Sequence, residues 1–242
     1  YEIMPSLVGS EMCIRDSGLV ASVLTVWTGD GSGYAVAQTQ PMKLAAVEGY
    51  YEGQNGAGLV AVGVLNPDKK TYDDGQNPFL FRIEIPKMLS FLAERKADAF
   101  VPGIKNIIEG GYELKDGTKA LSAAEKIERG KKAITALGTY REAKKDGDEA
   151  AMQQASATLK ENVAYFGYGY IKDVNQLVPN VPLNFYAFRV MVILGGYFIL
   201  FFIAILFFVY KKDLSQMRWM QYIGLWTIPF AYIAGQAGWV VA

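Results

Sequence analysis

The chain has 242 residues, with 24 basic and 24 acidic side chains, 51% hydrophobic residues and no histidine. This composition excludes a disordered tail, a collagen-like repeat and a protein that binds nucleic acid through bulk positive charge. A histidine-based metal site and a Ser-His-Asp hydrolase are excluded for these residues as well. The charge is unevenly distributed, because the only formal charges after residue 189 are Lys211, Lys212, Asp213 and Arg218.

Residues 1–17 do not have the pattern of a natural leader. A secretory signal has a basic start, an apolar stretch and a small-residue cleavage site in that order, and this segment lacks it. The peptide Glu11–Asp16, with sequence EMCIRD, resembles the translated end of a transposase-type sequencing adapter. We therefore expect residues 1–17 to be an assembly artefact. The single cysteine, Cys13, belongs to it, so the sequence predicts no disulfide and no thiolate metal site.

Three apolar segments predict membrane helices. Residues 18–28 cover about half of a bilayer and are interpreted as the end of a truncated transmembrane helix. The segments 183–210 and 219–242 contain uncharged runs long enough to cross a bilayer, and the second is expected to be truncated. The connection 211–218 is short and basic, which places it in the cytoplasm. The two helices then run inward and outward, and the segment 29–182 lies on the outer side. This topology predicts that Glu48, Arg189, Met191 and Trp239 all lie near the outer face of the membrane.

The polar segment between the apolar ones is predicted to be mainly helical. Ile85–Lys96 and Ser122–Leu137 have the apolar spacing of amphipathic helices. Ser122 and Glu125 have the spacing of a capping box at the start of the second helix. A third helix is expected from about Asp148 to Val163.

Glycine and proline predict where this segment turns. Gly29–Gly33 favours a tight turn, and Gly53–Gly63 favours a flexible stretch. Pro41 is typical of the first turn of a short helix. The prolines of Val178–Pro182 predict the end of the polar segment before the next membrane helix.

Lys43 and Glu48 lie where the first apolar segment gives way to the outer segment. Ionisable groups at a membrane boundary are costly unless they are paired or functional, but both side chains can also simply reach the headgroup layer. Five residues along a regular helix turn the chain ~140° beyond a full turn, so the two side chains would not share a face. A common ligand would be gripped from two sides, or the helix would be broken.

Arg189 is the one charge at the mouth of an otherwise neutral span, and Met191 follows two residues later, pointing to roughly the opposite side. A thioether is an axial haem ligand in some proteins and raises the reduction potential of the haem. The ordinary role of a membrane methionine is packing. Trp239 is similarly open to two interpretations, since interfacial tryptophans usually belong to the aromatic belt.

Three stretches of sequence resemble one family when they are taken together. They are GDGSGYAVAQTQPMKLAAVEGYYE at 29–52, FYAFRVMV at 185–192 and AGQAGWVVA at 234–242. At this spacing, with a long polar segment between the first two, they resemble subunit I of the cytochrome bd-type quinol oxidases. The strings KLAAxE and FRxM are the most specific. The resemblance extends from Gly18 onward and implies an internal fragment of that subunit with a long quinol loop.

The resemblance implies a quinol:oxygen oxidoreductase that reduces dioxygen to water and is electrogenic without pumping protons. The lysine and glutamate of KLAAxE, here Lys43 and Glu48, are associated in the family with quinol binding and oxidation. Asp30 and Gln40 match positions near that site. By the same resemblance, the methionine of FRxM, here Met191, is an axial ligand of a low-spin haem b.

The remaining implications concern electron transfer and assembly. Arg189 is expected to support the reduced state of the low-spin haem, and Trp239 to help electrons reach the high-spin haem b and haem d of the complete subunit. Gln236 stands where some members have an acid, which puts a proton role there in doubt. The family's histidine ligands are missing, so the fragment alone is expected to be inactive. Expected partners are subunit II, a small accessory subunit, quinol, dioxygen and the lipid bilayer, with no nucleic acid.

The sequence thus predicts an all-α membrane protein, a fragment of a multi-helix transmembrane bundle with a large extracytoplasmic, mainly helical loop at 49–182. Its expected location is the bacterial cytoplasmic (inner) membrane, which it crosses several times. The alternative is a two-helix receptor or sensor with an outer ligand-binding domain, which gives Lys43, Glu48 and Met191 no role. A secondary transporter fragment would place ionisable groups near the bilayer midplane instead of at its boundary.

Overall fold

The computed structural model describes the backbone of residues 3–211 and 218–242, and the side chains of residues 17–208 and 218–242. In chain order, the helices are α1 (Ile3–Thr39), α2 (Pro41–Glu48), α3 (Met88–Glu94), α4 (Ile104–Glu109), α5 (Ala123–Asp146), α6 (Glu149–Asn162), α7 (Val181–Lys211) and α8 (Arg218–Val241). The strands are β1 (Gln54–Asn55), β2 (Leu59–Leu65), β3 (Phe79–Ile85) and β4 (Phe100–Val101). Two 3₁₀ helices, Val163–Tyr170 and Val174–Leu177, follow α6.

The chain divides into two compact units. The terminal unit consists of Tyr1–Thr39 and Val181–Ala242, and the central unit consists of Gln40–Asn180. The predicted cytoplasmic connection 211–218 falls almost entirely on residues 212–217, outside the described part of the chain.

Helix α1 continues without a break through the glycines at 29–33, so the predicted tight turn is wrong. Glycine permits a turn but does not impose one. Hydroxyl groups just before this stretch bond to carbonyls one turn back, for example Thr25 Oγ1 to Ala21 O at 2.8 Å. The break comes at Gln40, with φ −135° and ψ 59°, because Pro41 excludes the helical conformation from the residue before it. Pro41 begins α2, as predicted.

In the terminal unit, α1 and α8 both pack against α7. Gly18 brings α1 close to α7, since a Cβ there would lie 2.7 Å from the Phe202 ring. Between α7 and α8, the Tyr197 ring stacks on Phe201 and meets the edge of Phe230. The Tyr197 hydroxyl is 2.7 Å from Thr227 Oγ1. Aromatic packing with one polar contact thus joins these two helices.

The predicted helices 183–210 and 219–242 are confirmed as α7 and α8. Among the described residues, one helical stretch, Val174–Phe208, has the length and composition needed to cross a membrane. Tryptophan, tyrosine and glutamine lower the hydropathy of α8. Its crossing therefore stays a prediction.

The central unit contains α5, α6 and the 3₁₀ helix Val163–Tyr170, which pack on one another. Helix α5 begins with the predicted capping box, in which the Glu125 amide donates to Ser122 Oγ at 3.2 Å and the Ser122 amide donates to Glu125 Oε2 at 2.8 Å. It extends beyond the predicted Leu137 to Asp146. The predicted helix from about Asp148 to Val163 is confirmed as α6, with Asp148 as its N-cap.

Two predictions for the first part of the central unit are wrong. The stretch Gly53–Gly63 is not merely flexible, because it contains β1 and most of β2, and β2 pairs antiparallel with β3. The predicted helix Ile85–Lys96 is shortened, because Ile85 ends β3 and α3 begins only at Met88. Pro86 has no N–H to donate and keeps Ile85 extended, which separates strand from helix.

Candidate functional site

Lys43 and Glu48 lie on one short helix, α2, which is unbroken from Pro41 to Glu48. The two side chains therefore leave from different faces, as the spacing predicts. Glu48 is 3% exposed and Lys43 is half-buried. Gln40, also predicted to belong to this site, occupies the N-cap position of the same helix.

A Schellman motif ends α2 directly after Glu48. Gly49 has φ 62°, the Gly49 amide donates to Ala46 O at 3.2 Å, and the Tyr50 amide donates to Ala45 O at 2.7 Å. The left-handed conformation at Gly49 favours glycine and reverses the chain sharply. As a result, Glu48 is fixed at the end of a rigid turn and the next residues are directed away from the helix.

The segment after Gly49 is fastened to the start of α4. The Tyr50 carbonyl accepts from the Ile104 amide at 3.0 Å, and the Tyr51 carbonyl accepts from the Lys105 amide at 2.9 Å. This approach requires a glycine at position 103, since a Cβ there would lie 2.5 Å from the carbonyl of Tyr51. Backbone contacts of this kind have no side-chain signature, so the sequence did not reveal them.

The same segment forms one wall of a polar cleft of about 480 Å³. The cleft is lined by Gly49–Glu52, Gln54, Lys69, Tyr72, Asp73, Gly75–Arg82 and Lys105. Lys69 is almost buried, with Nζ 2.7 Å from Asp74 Oδ1 and 4.5 Å from the centre of the Tyr51 ring. Lys105 Nζ is 3.1 Å from Asp73 Oδ1.

Three pKa shifts describe the charge in and beside this cleft. The hydrogen bond from Lys69, followed by backbone amides, lowers the pKa of Asp74. The hydrogen bond and charge of Asp73, with smaller contributions from Glu109 and Glu52, raise the pKa of Lys105. Burial, with the nearby charge of Glu84, raises the pKa of Tyr50 to about 12. At neutral pH the cleft therefore has charged ion pairs and a neutral, buried phenol.

Arg189 and Met191 lie on α7 in the terminal unit and are both partly buried. The Arg189 guanidinium carbon is 3.7 Å from the centre of the Phe185 ring, a cation–π contact on a fully buried aromatic. The sulfur of Met191 faces Gly238 on α8, where an added Cβ would lie 3.4 Å away. The thioether thus packs against α8 at a residue that has no side chain.

Trp239 follows Gly238 on α8, and its side chain is 79% exposed. Asp30 is an exposed residue of α1. Within the terminal unit, Met191 of α7 lies against Gly238 of α8, the residue before Trp239. Lys43, Glu48 and Gln40 belong to the central unit. That Glu48, Arg189, Met191 and Trp239 lie at one membrane depth stays a prediction.

Comparison with known proteins identifies the family. The sequence profile of the cytochrome bd terminal oxidase subunit I family matches residues 13–242. The chain belongs to this family. The match includes the strings around Glu48 and Met191, and it begins within the predicted adapter segment 1–17, whose origin stays a prediction.

Two relatives and one solved structure agree with this membership. The chain is 30% identical over 223 residues to the cytochrome bd-II ubiquinol oxidase subunit 1 of Escherichia coli (strain K12). This match covers 92% of the chain and 42% of that protein. The chain is 34% identical over 87 residues to the putative cytochrome bd menaquinol oxidase subunit I of Bacillus subtilis (strain 168), covering 36% of the chain and 18% of that protein. The chain thus spans less than half the length of these relatives.

The bd oxidase structure from Geobacillus thermodenitrificans has the same fold. The TM-score is 0.54 at 22% identity, and the match covers 92% of this chain and 34% of that chain. The predicted fold class, an all-α membrane protein fragment, is confirmed by this neighbour together with the family match. The short strands of the central unit lie within a mostly helical chain.

Proposed function

We propose that this chain is part of subunit I of a bacterial respiratory quinol:oxygen oxidoreductase. The complete subunit oxidises membrane quinol at the outer face and passes electrons through haem b to the centre that reduces dioxygen to water. Family membership across residues 13–242 supports this, as do the two relatives named as ubiquinol and menaquinol oxidases. Because the chain covers only 42% of the Escherichia coli relative, the activity is assigned to the complete subunit.

Glu48 is the proposed base that accepts protons from the quinol. The observation that carries this role is the burial of its side chain, 3% exposed, at the end of the helix formed by the KLAAVE string. A carboxylate held at a fixed position at the end of a rigid turn can act as a general base toward a bound quinol. Lys43, from another face of α2, binds the quinol with it, and Gln40 and Asp30 complete the proposed substrate-binding set.

Met191 is the proposed axial ligand of the low-spin haem b. The residues fit such a group, because a thioether is a suitable ligand for haem iron and the residue of α8 that faces its sulfur, Gly238, has no side chain. When bound, haem supplies a one-electron acceptor for quinol oxidation. Arg189 stabilises the more negative, reduced state by its nearby positive charge, and the rigid Phe185 contact restrains its position. Trp239 follows Gly238, the residue of α8 that faces Met191. Its proposed role is electron transfer toward the high-spin haem b and haem d.

The proposed setting is the bacterial cytoplasmic membrane, with residues 49–182 outside the cell and the chain crossing the bilayer more than once. The apolar stretch Val174–Phe208 supports this location. Proton release outside, coupled to electron transfer inward, makes the reaction electrogenic without a proton pump. Subunit II and a small accessory subunit are the proposed protein partners.

The experiment that tests this function is the replacement Glu48→Ala in the complete, haem-loaded oxidase. Removal of the base should lower quinol oxidase turnover by a factor of about 100 or more, while the visible haem spectrum is retained. Glu142→Ala, at an exposed position of α5, is the matched control and should behave as the unmodified enzyme. Unchanged turnover in the Glu48 variant would remove this residue from the reaction.

A further inference from the structure

The antiparallel strand pair β2–β3 of the central unit has two unlike faces. Its register places Val62 opposite Ile83 and Val64 opposite Phe81. Residues that are paired across two strands project to the same side, and side chains alternate along each strand. These four side chains therefore share one side with Ile85, which lies two residues beyond Ile83. We call these five side chains the outer face of the strand pair.

The opposite side packs into the central unit. The register shift between Val60 and Val62 puts these two residues on different sides, and Val60 is buried, as is Leu65. A Cβ added at Gly63 would lie 3.0 Å from Val60 and 3.2 Å from the Phe79 ring, so little space is left on this side. The inner packing fixes the register, and the outer face is consequently directed away from the core.

The outer face is apolar where a solvated sheet is normally polar. Its five side chains are valine, isoleucine and phenylalanine, and they are between 44% and 55% exposed. An antiparallel sheet with one side on a core and the other in water usually has polar side chains on the water side. A cluster of exposed large apolar side chains is typical of a surface that meets a protein or a membrane.

The chemistry of the outer face favours lipid over protein. The two charged side chains of β3 project to the other side, where Arg82 Nε is 3.5 Å from Glu84 Oε2. The five side chains of the outer face have no charge and no hydrogen-bonding group. Protein interfaces are enriched in tyrosine and arginine and contain several direct hydrogen bonds. Acyl chains offer apolar contact alone, which is the complement of this face.

The connections of the central unit also favour lipid. Gln40 and Asn180, the two ends of this unit, are joined directly to the terminal unit. The stretch Val174–Phe208, which has the length and composition needed to cross a membrane, begins in the last residues of the central unit. Covalent attachment of this kind keeps a lipid surface at high effective concentration. An apolar face too small to hold a free protein at a bilayer is then sufficient.

We propose that the outer face of β2–β3 inserts among the acyl chains at the membrane surface and holds the central unit against the bilayer. The ion pair of Arg82 and Glu84, on the other side, stays in the polar layer. Amphipathic elements commonly lie at this boundary, with only the apolar side in the acyl layer. The inference goes beyond the oxidase activity and does not depend on the role proposed for Glu48.

The test places a photoreactive side chain on each side of β3 in the complete, haem-loaded oxidase in phospholipid vesicles. Ile83→p-benzoylphenylalanine puts a benzophenone, which inserts into nearby C–H bonds on illumination, on the outer face. Arg82→p-benzoylphenylalanine, one residue away on the other side, is the matched control. Position 83 should give about tenfold more phospholipid adduct than position 82, as measured by mass spectrometry.

A charge on the outer face should weaken the insertion. With the photoreactive group at position 81 in place of Phe81, Ile83→Asp should lower the yield of phospholipid adduct about fivefold, because a carboxylate is costly in the acyl layer. Ile83→Leu keeps the face apolar and should leave the yield unchanged. The visible haem spectrum and the quinol oxidase turnover, measured in the same samples, should be retained in all of these variants.

The identity of the adduct decides the proposal. Adducts of position 83 with a peptide of the oxidase, instead of phospholipid, would overturn it and assign the outer face to a protein partner. Equal phospholipid adducts at positions 82 and 83 would overturn it because the contact would not be specific to one side. An undiminished yield in Ile83→Asp would overturn it as well.

Discussion

The central unit contains a fully buried polar side chain whose hydrogen bonds are made, whereas the terminal unit has large apolar side chains that are strongly exposed. In the central unit, Ser90 is fully buried and its hydroxyl accepts from the Ala57 amide at 2.7 Å and donates to Ala99 O at 2.8 Å. In the terminal unit, Leu200, Trp226 and Trp239 are between 67% and 79% exposed. Apolar exposure on this scale is typical of a surface that meets lipid or other helices. The stability of the terminal unit is therefore expected to depend on the lipid or helices that cover these side chains.

The difference extends to the way helices approach one another. In the central unit, Gly130 of α5 and Gly169 of the 3₁₀ helix bring two backbones together, since a Cβ at Gly130 would lie 2.3 Å from the Gly169 nitrogen. In the terminal unit, Gly195 and Gly196 of α7 have no atom of the described residues within 4 Å of an added Cβ. Glycine thus allows a close backbone approach at Gly130 and Gly169 of the central unit, whereas Gly195 and Gly196 leave open helix surface in the terminal unit.

The largest expected effect concerns Met191 in the terminal unit. Met191→Leu in the complete oxidase should abolish the low-spin haem b signal, because leucine supplies no ligand atom. The reduced-minus-oxidised visible spectrum measures this loss. Met220→Leu, a buried methionine of α8 in the same unit, is the control and should leave the spectrum unchanged. An unaltered spectrum in the Met191 variant would refute the ligand assignment.

The next effect concerns the backbone contact of the central unit. Gly130→Ala should destabilise this unit by about 3 kcal/mol, because the new methyl group would meet backbone atoms that have no room to move. Gly138→Ala, in the same helix but with no described atom within 4 Å of the added Cβ, should be neutral or stabilise by up to about 1 kcal/mol. Thermal melting of the two variants, with hydrogen exchange of α5 peptides, tests the contrast. Equal melting temperatures would show that the close contact is not required.

A smaller effect is expected at the buried hydroxyl of Ser90. Ser90→Ala leaves the Ala57 amide and the Ala99 carbonyl without their partner and should cost about 1–3 kcal/mol of stability. Thr139→Ala, at an exposed position of α5, should change stability by less than about 0.5 kcal/mol. Chemical denaturation measures the difference in stability between the two variants, and hydrogen exchange of the Ala57 amide measures the loss of its acceptor. Undisturbed exchange of the Ala57 amide in the Ser90 variant would contradict the bridging role.

The smallest effect is local and depends on pH. Asp74 accepts from Lys69 Nζ and from the amides of Lys70, Thr71 and Gln76, and these bonds lower its pKa in the folded state. Since the folded pKa is depressed, the stabilisation is fully present above the unfolded pKa of about 4 and is lost as pH falls further through the folded pKa. Hydrogen exchange in the 66–76 loop should accelerate only in acid. Asp74→Asn should give fast exchange already at neutral pH, and a slow loop in that variant would contradict the prediction.

The sequence by itself determined the segregation of polar and apolar segments, the positions of α5 to α8 and the family. The informative patterns are local ones, which can be recognised without knowledge of the fold. They are the hydrophobic runs, the Ser122–Glu125 capping box and the KLAAxE and FRxM strings. The turn predicted at glycines 29–33 was wrong, because glycine permits several conformations. Pro41, further along the chain, determines where the helix ends.

Only the tertiary structure decided that a cleft begins beside Glu48 and that Met191 faces Gly238. The cleft joins the segment 49–54 to residues near 69–82 and to Lys105, and the pairing of β2 with β3 depends on contacts between segments far apart in sequence. Such contacts form wherever backbone hydrogen bonds and close glycine approaches have room. No single segment of the sequence encodes this space, because the packing of the other segments creates it.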